Sequence, residues 1–160
     1  EQNPVFYVSS SPWNLYAPLI EFLDVQGIPH GPLLLKDFGD HTVFRRDDHH
    51  GHKLINIERI MTTYPSLPFV LIGDSGEQDP EIYAEVVRRH PNRVRAIYIR
   101  SVSRAPGRLE AISLLIKEVK ALQTQLVLAP DSEFAAAHAA AEGLISAGAL
   151  DGNRRIPGSG

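Results

Sequence analysis

The sequence predicts an α/β fold: a parallel sheet with helices on both faces. Short apolar runs alternate with helix-length segments of amphipathic period along the whole chain, the pattern of strands joined by helical crossovers. One of those runs, Phe69-Val70-Leu71-Ile72, is continuously apolar and lies between Pro68 and Gly73, as expected of a buried parallel strand. The runs end in residues that start helices, as in Ser11-Pro12, Asp79-Pro80 and Asp131.

Taken in order, Val5-Phe6-Tyr7-Val8 reads as the first strand, followed by Ser9-Ser10-Ser11-Pro12 with Ser11 placed to cap a helix. The apolar face of that helix is Leu15, Leu19, Phe22 and Leu23, and Gly27-Ile28-Pro29 stops it. Leu33-Leu34-Leu35 is a short strand. Residues 37–51 have no apolar period and read as a mobile loop. A helix is expected from His52 to Tyr64 with Leu54, Ile57, Ile60 and Met61 inward. After the Phe69 strand comes a helix over Pro80–His90, then a strand over Val94–Ile99 and a helix over Leu109–Leu122 carrying Ile112, Leu115, Ile116 and Val119 on one face. Leu126-Val127-Leu128 is the last strand, and Asp131 caps an Ala-rich helix expected to end near Gly148. Residues 1–148 are expected to form one domain and 149–160 a flexible tail.

The chain has 160 residues, 43% hydrophobic and 22% charged, with a formal charge of −3, an ordinary globular composition without a basic field for nucleic acid. It has no cysteine, which excludes disulfides and thiolate metal sites. No apolar run is long enough to span a bilayer, and no signal segment is visible, so a cytoplasmic location is the expectation. The start at Glu1 without a Met and the Pro157-Gly158-Ser159-Gly160 ending read as a piece of something longer.

The segment Gly73-Asp74-Ser75-Gly76-Glu77-Gln78-Asp79 carries the strongest chemical signal. It places Asp74 and Asp79, the latter read as the N-cap of the next helix, at the carboxyl end of a strand, where open α/β sheets bind ligands. Two carboxylates suit Mg²⁺, which completes its shell with water and phosphate; a strand-to-helix turn with an acidic cap is the competing reading. Ser9 ends a strand before a helix N-terminus, where its hydroxyl and the amides after it fit a phosphate oxygen, or where it is a turn serine. Lys53 opens a helix against the dipole, a placement that makes sense with an anion bound there, or as a solvated lysine. Asp47-Asp48-His49-His50-Gly51-His52 holds metal-ligand residue types, but nearly consecutively and without a helix-spaced pair of histidines such as an i, i+4 motif, so a solvated loop is the better reading. Arg45 and Arg46 read as solvated surface or as a contact for a phosphate headgroup, and Trp13 and Tyr16 as core or an apolar wall.

The order strand–Ser9, Lys53, strand–Gly73-Asp74-x-x-x-x-Asp79 resembles the second to fourth motifs of the haloacid-dehalogenase phosphatase superfamily, which implies a Rossmann-like sheet. Phe6-Tyr7-Val8-Ser9-Ser10-Ser11-Pro12-Trp13-Asn14-Leu15-Tyr16, Gly31-Pro32-Leu33-Leu34-Leu35-Lys36-Asp37, His52-Lys53 and Leu71–Tyr83 more closely resemble its Mg²⁺-dependent phosphatidate phosphatase branch, lipin-related and of the actin-patch-protein type. The resemblance covers residues 4–145. It implies that Ser9, with Ser10, holds the phosphoryl group, that Lys53 stabilises its charge and that of an aspartyl-phosphate, and that Asp74 ligates Mg²⁺ with Asp79 supporting.

These 160 residues depart from that family pattern in one respect: they contain no Asp-x-Asp-x-Thr, the motif whose first Asp is the nucleophile. Asp131-Ser132-Glu133 follows a strand but offers no second aspartate. The segment carrying the motif would also be the central strand, so the strands before Ser9 and Gly73 are expected to have unpaired edges. The leading expectation is a phosphatase module inactive alone, with the missing segment as a partner in trans. The alternative is a non-catalytic module that binds a phosphate or phospholipid headgroup. A response-regulator-like domain fits less well, since a GDxxxxD pattern stands in place of an acidic cluster. No membrane-spanning segment or basic amphipathic helix stands out, and peripheral membrane contact stays open.

Overall fold

The computed structural model describes residues 3–36, 48–146 and 148. The chain divides into two compact units, Glu1–Leu67 and Pro68–Gly160. Among the described residues all strand pairing is parallel, with helices between the strands, as the α/β reading expects.

In the first unit, β1 (Tyr7–Pro12) pairs with β2 (Leu33–Lys36) through Tyr7↔Leu33, Val8↔Leu34 and Pro12↔Lys36. Between the last two pairs β1 advances farther than β2, so Ser9-Ser10-Ser11 bulges from the ladder. The bulge corrects the expected cap. Ser11 N–H donates to Ser9 Oγ at 3.1 Å, and the two hydroxyls meet at 3.0 Å. Helix entry comes later, through a 3-10 turn at Trp13–Leu15 into α1 (Tyr16–Val25), and neither start has a side-chain cap. The Leu15/Phe22 face of α1 is not buried: Phe22 and Leu15 are exposed. Gly27 does stop the helix. At φ +63° it sits in the left-handed region, Ile28 N–H reaches Leu23 O at 2.9 Å, and its own N–H reaches Asp24 O at 3.1 Å.

Helix α2 (Asp48–Thr63) begins a turn earlier than the period suggested. Residues 48–51 are therefore helical rather than loop, while residues 37–47, the rest of the segment read as mobile, lie outside the described residues. Leu54, Ile57 and Met61 are buried as expected, and α2 lies along β1, with Phe6 and Tyr64 in ring contact at 5.5 Å.

The second unit is built on the order β3-β4-β5: β3 (Phe69–Asp74), β4 (Val94–Arg100) and β5 (Gln125–Ala129). Helices α3 (Asp79–Arg89) and α4 (Arg108–Ala121) pack on each other and the sheet, and α5 (Ser132–Ala141) packs on β4 and β5. β4 is buried on both faces. Ile97 and Ile99 are fully enclosed, and Ala96 and Tyr98 pack with Ala135 and Ala139 of α5. β3 is different. Leu71 is buried, but Ile72 on the opposite face is 74% exposed, so the continuous apolar run does not mark two covered faces here. Among the described residues β1 and β3 each have one hydrogen-bonded neighbour.

Asp131 caps α5 as expected, its Oδ1 accepting from Phe134 N–H at 2.7 Å. The helix ends at Ala141 rather than near Gly148, because Gly143 takes φ +69° and Leu144 N–H closes on Ala139 O at 2.8 Å.

Arg88 of α3 ties Glu85 to Glu118 of α4, with Arg88 Nη2 to Glu118 Oε2 at 3.2 Å. The hydrogen bond from Arg88 holds the Glu118 carboxyl below its ordinary pKa. A carboxyl depressed in the folded state contributes stability above the usual carboxylate range and loses it as pH falls through the depressed value. Glu118→Gln is therefore expected to lower the urea midpoint slightly at about pH 7, with the gap to the parent narrowing as the pH falls below the ordinary carboxylate range. A gap that does not change with pH would show that the contribution is not ionic.

Candidate active site

The ladder of β3 against β4 runs to Asp74↔Arg100, and Ser75 N–H extends it to Arg100 O at 2.9 Å. There the chain turns, and the turn is built on Asp74. Its Oδ1 accepts Gly76 N–H at 2.8 Å and Glu77 N–H at 3.2 Å, the way an aspartate folds the backbone over its own side chain.

Asp79 is not the side-chain cap of α3. It is the first residue of the helix, and its Oδ2 accepts Asp74 N–H at 3.2 Å across the loop. Pro80 follows within the first turn, as expected. The carboxylate of Asp79 is only 5% exposed and lies against Gly73. A Cβ at Gly73 would fall 2.5 Å from Asp79 Oδ2, and one at Gly76 would fall 3.1 Å from Asp74 Oδ1. Both glycines thus leave room for carboxylate oxygens. One turn along α3, Tyr83 donates its hydroxyl to Ile72 O at 2.9 Å. Burial, then the charges of Asp79 and Asp74, push its phenol far above the ordinary range, so both carboxylates project negative potential onto one spot.

Three residues that hold this loop were not singled out from sequence: Ser75, Tyr83 and Arg108. Ser75 is 1% exposed, and its Oγ accepts Val102 N–H at 2.8 Å and Ser103 N–H at 2.9 Å, joining the β3–α3 loop to the β4–α4 loop. Arg108 opens α4 and donates to Ser75 O at 2.9 Å, to Glu77 O at 2.6 Å and to both oxygens of Glu81. A cation at a helix N-terminus was the signal read at Lys53. It applies to Arg108 instead, since Lys53 lies in the second turn of α2, half-buried, and not at its start.

The structure brings Asp74 and Asp79 together. Ser9 and Ser10 lie in the bulge of β1, with the Ser9 hydroxyl engaged by Ser11, and Lys53 lies on α2 of the same unit. Of the Asp/His segment, Asp47 and the side chains of residues 48–50 lie outside the described residues. His52 is a helical residue whose carbonyl accepts Asn56 Nδ2 at 3.0 Å. Among the described residues no group of three or more His, Asp or Glu could hold a metal ion. Asp74 and Asp79 are the residues here that could hold a hard cation: they offer oxygen donors only and few of them, which leaves the rest of a shell to water and phosphate.

A strand ending in Gly-Asp, a loop closed by Asp79 and parallel strands joined by helices place the chain in the Rossmann-like class of α/β folds. Residues 1–101 match the family described as phosphatidate phosphatase APP1, catalytic domain, and the chain belongs to that family. Phosphatidate phosphatase APP1 of Saccharomyces cerevisiae is 32% identical over 123 residues, 74% of this chain and 21% of the yeast protein. An uncharacterised protein of Schizosaccharomyces pombe is 32% identical over 99 residues, 61% of this chain and 16% of its own length. The chain therefore spans about a fifth or less of the curated relatives it matches. No solved structure matches it. No helix among the described residues is long and apolar enough to cross a membrane.

Proposed function

We propose that this chain is the phosphate- and Mg²⁺-handling part of a phosphatidate phosphatase that cleaves a phosphate monoester, with phosphatidate as substrate, on the cytoplasmic side of the lipid surface. The Asp74–Asp79 loop is the observation that carries the reading, since the Asp79 carboxylate accepts the Asp74 backbone N–H and packs where Gly73 has no side chain, which brings two acidic residues to the carboxyl end of β3. Asp74 and Asp79 hold the cation, which supplies charge neutralisation on the phosphoryl oxygens. Ser9 and Ser10 bind a phosphoryl oxygen through hydroxyl and amide, and Lys53 offsets its charge. None of these is an in-line nucleophile. Ser9 is the nearest substitute, but its hydroxyl is engaged with Ser11 rather than with a base.

The 160 residues alone are therefore expected to release no phosphate from a short-chain phosphatidate. A segment supplying an apolar strand and Asp-x-Asp-x-Thr, added in trans or fused, is expected to pair with an open strand edge and give release that needs Mg²⁺ and stops in chelator. Metal-dependent turnover by the chain alone would overturn the assignment of a missing nucleophile. The absence of that motif from these residues also favours a second reading, a module that binds a phosphate or phospholipid headgroup without hydrolysing it. Phosphatidate binding without release, even with the segment present, would decide for that module.

A further inference from the structure

The peptide between Ser75 and Gly76 has a partner on each side. Its C=O accepts Arg108 Nε at 2.9 Å and its N–H donates to Asp74 Oδ1 at 2.8 Å. In a trans peptide these two groups point in opposite directions within one plane, so gripping the carbonyl sets the direction of the N–H. The guanidinium grips the next carbonyl but one as well, Glu77 O at 2.6 Å, while Glu77 N–H is the second donor to Asp74 Oδ1. Arg108 thus holds from outside the same stretch of backbone that holds Asp74 from inside.

Its own orientation is fixed in turn. Glu81, in the first turn of α3, takes two of its N–H groups in a fork-to-fork pairing. Ser75 is anchored independently of Arg108 by Val102 N–H and Ser103 N–H, so the loop is pinned at one point by a hydroxyl and aligned at two others by a planar cation. The residue sits beyond the stretch that matches the family, and is brought to the loop only by the packing of α4 beside α3.

We propose that Arg108 is a positioning residue for cation binding: it orients the 75–77 backbone so that one oxygen of Asp74 is committed to the loop and the carboxylate is preset to ligate a divalent metal. The inference rests on the reading of Asp74 as a metal ligand. Residues that orient a ligand in this way typically change metal affinity by about 10–100-fold. A lysine at 108 keeps the charge but cannot serve three acceptors as a planar fork.

The test is a titration of the 160-residue chain with Mn²⁺ alone, following paramagnetic broadening of the Gly76 and Glu77 amide signals in ¹H–¹⁵N spectra. Arg108→Ala is expected to raise the Mn²⁺ concentration for half-broadening about tenfold, with Arg108→Lys in between. Amide hydrogen exchange at Gly76 and Glu77 without metal should quicken in the same order. Signals from Ile97 and Ile99 report whether the sheet is intact, and Arg108→Lys serves if the alanine variant does not fold. Arg88→Gln, which breaks the ion pair between Arg88 of α3 and Glu118 of α4, should lose comparable surface pairing yet leave the titration at the parent value. A parent-like titration in Arg108→Ala or Arg108→Lys, with Asp74→Asn weakened, overturns the positioning role and leaves the metal reading standing. Loss of affinity in Arg88→Gln equal to that in Arg108→Ala overturns it in favour of general loosening. Absence of any Mn²⁺ effect on the parent, matched by Asp74→Asn, removes the metal reading and this inference together.

Discussion

Replacing Gly73 by alanine is expected to destabilise the second unit by about 1–3 kcal/mol, the usual cost of forcing an extra carbon into a packed site, and to weaken cation binding with it. The reason is space rather than backbone freedom. The added Cβ would lie 2.5 Å from Asp79 Oδ2, 2.7 Å from its Cβ and 2.8 Å from its Cγ. Rotating the side chain relieves the first and third of these but not the second, because Asp79 Cβ is fixed by the first turn of α3. Helix or strand must shift, and either movement breaks the bond from Asp74 N–H to Asp79 Oδ2. The loop would then lose the contact that joins the end of β3 to the Asp79 carboxylate. Urea denaturation and Mn²⁺ titration of the same sample read both effects. An alanine variant with parent stability and parent affinity would show that Asp79 does not pack on Gly73 as described.

The close approach at Gly73 shows where sequence reasoning succeeds and where it stops. The strand, the glycine and the two aspartates are all visible as a local pattern, because apolar runs and turn residues act within a few positions. Asp131 was legible as a cap and Gly27 as a stop for the same reason. Asp79 looked just as much like a cap. Its carboxylate instead reaches Asp74 N–H, a partner five residues back that exists only once the loop has closed, and that tertiary acceptor role displaces the local one. Ser11 failed likewise, since the bulge in β1 turns it toward Ser9 before any helix begins.

Burial was harder to read than element type. Ile72 belongs to a continuous apolar run, and the run correctly marks a strand, but coverage depends on what lies above it. α5 covers Tyr98 on β4 and does not extend over Ile72. Arg108 is a different kind of miss. It sits 33 residues from Ser75 in sequence, and no spacing rule connects them. The one local signal, a cation on the first turn of a helix, was present at Arg108 but was read at Lys53, because the start of α2 was placed a turn too late. Gly143, not Gly148, ends α5, and the local pattern hides this because the alanine-rich stretch continues helical propensity past the residue that ends it.

Asp74→Asn is the substitution expected to separate charge from structure most completely. The asparagine carbonyl can replace Oδ1 as acceptor for Gly76 N–H and Glu77 N–H, so the turn keeps both of its bonds. The position nevertheless loses its negative charge, and an N–H₂ group replaces the second carboxylate oxygen. A hard cation is then offered a donor where it needs an acceptor. Mn²⁺ or Mg²⁺ affinity is expected to fall by at least about a hundredfold, beyond the loss typical of residues that only orient a ligand. Thermal stability in metal-free buffer should stay near the parent value, because the turn keeps its side-chain acceptor. Calorimetric titration and thermal unfolding, run side by side in chelator-treated buffer, decide the matter. Equal cation affinity in the variant would remove Asp74 from the metal site. A large fall in stability would mean instead that its ionised carboxylate is needed to build the turn, and that charge and structure at this position cannot be separated.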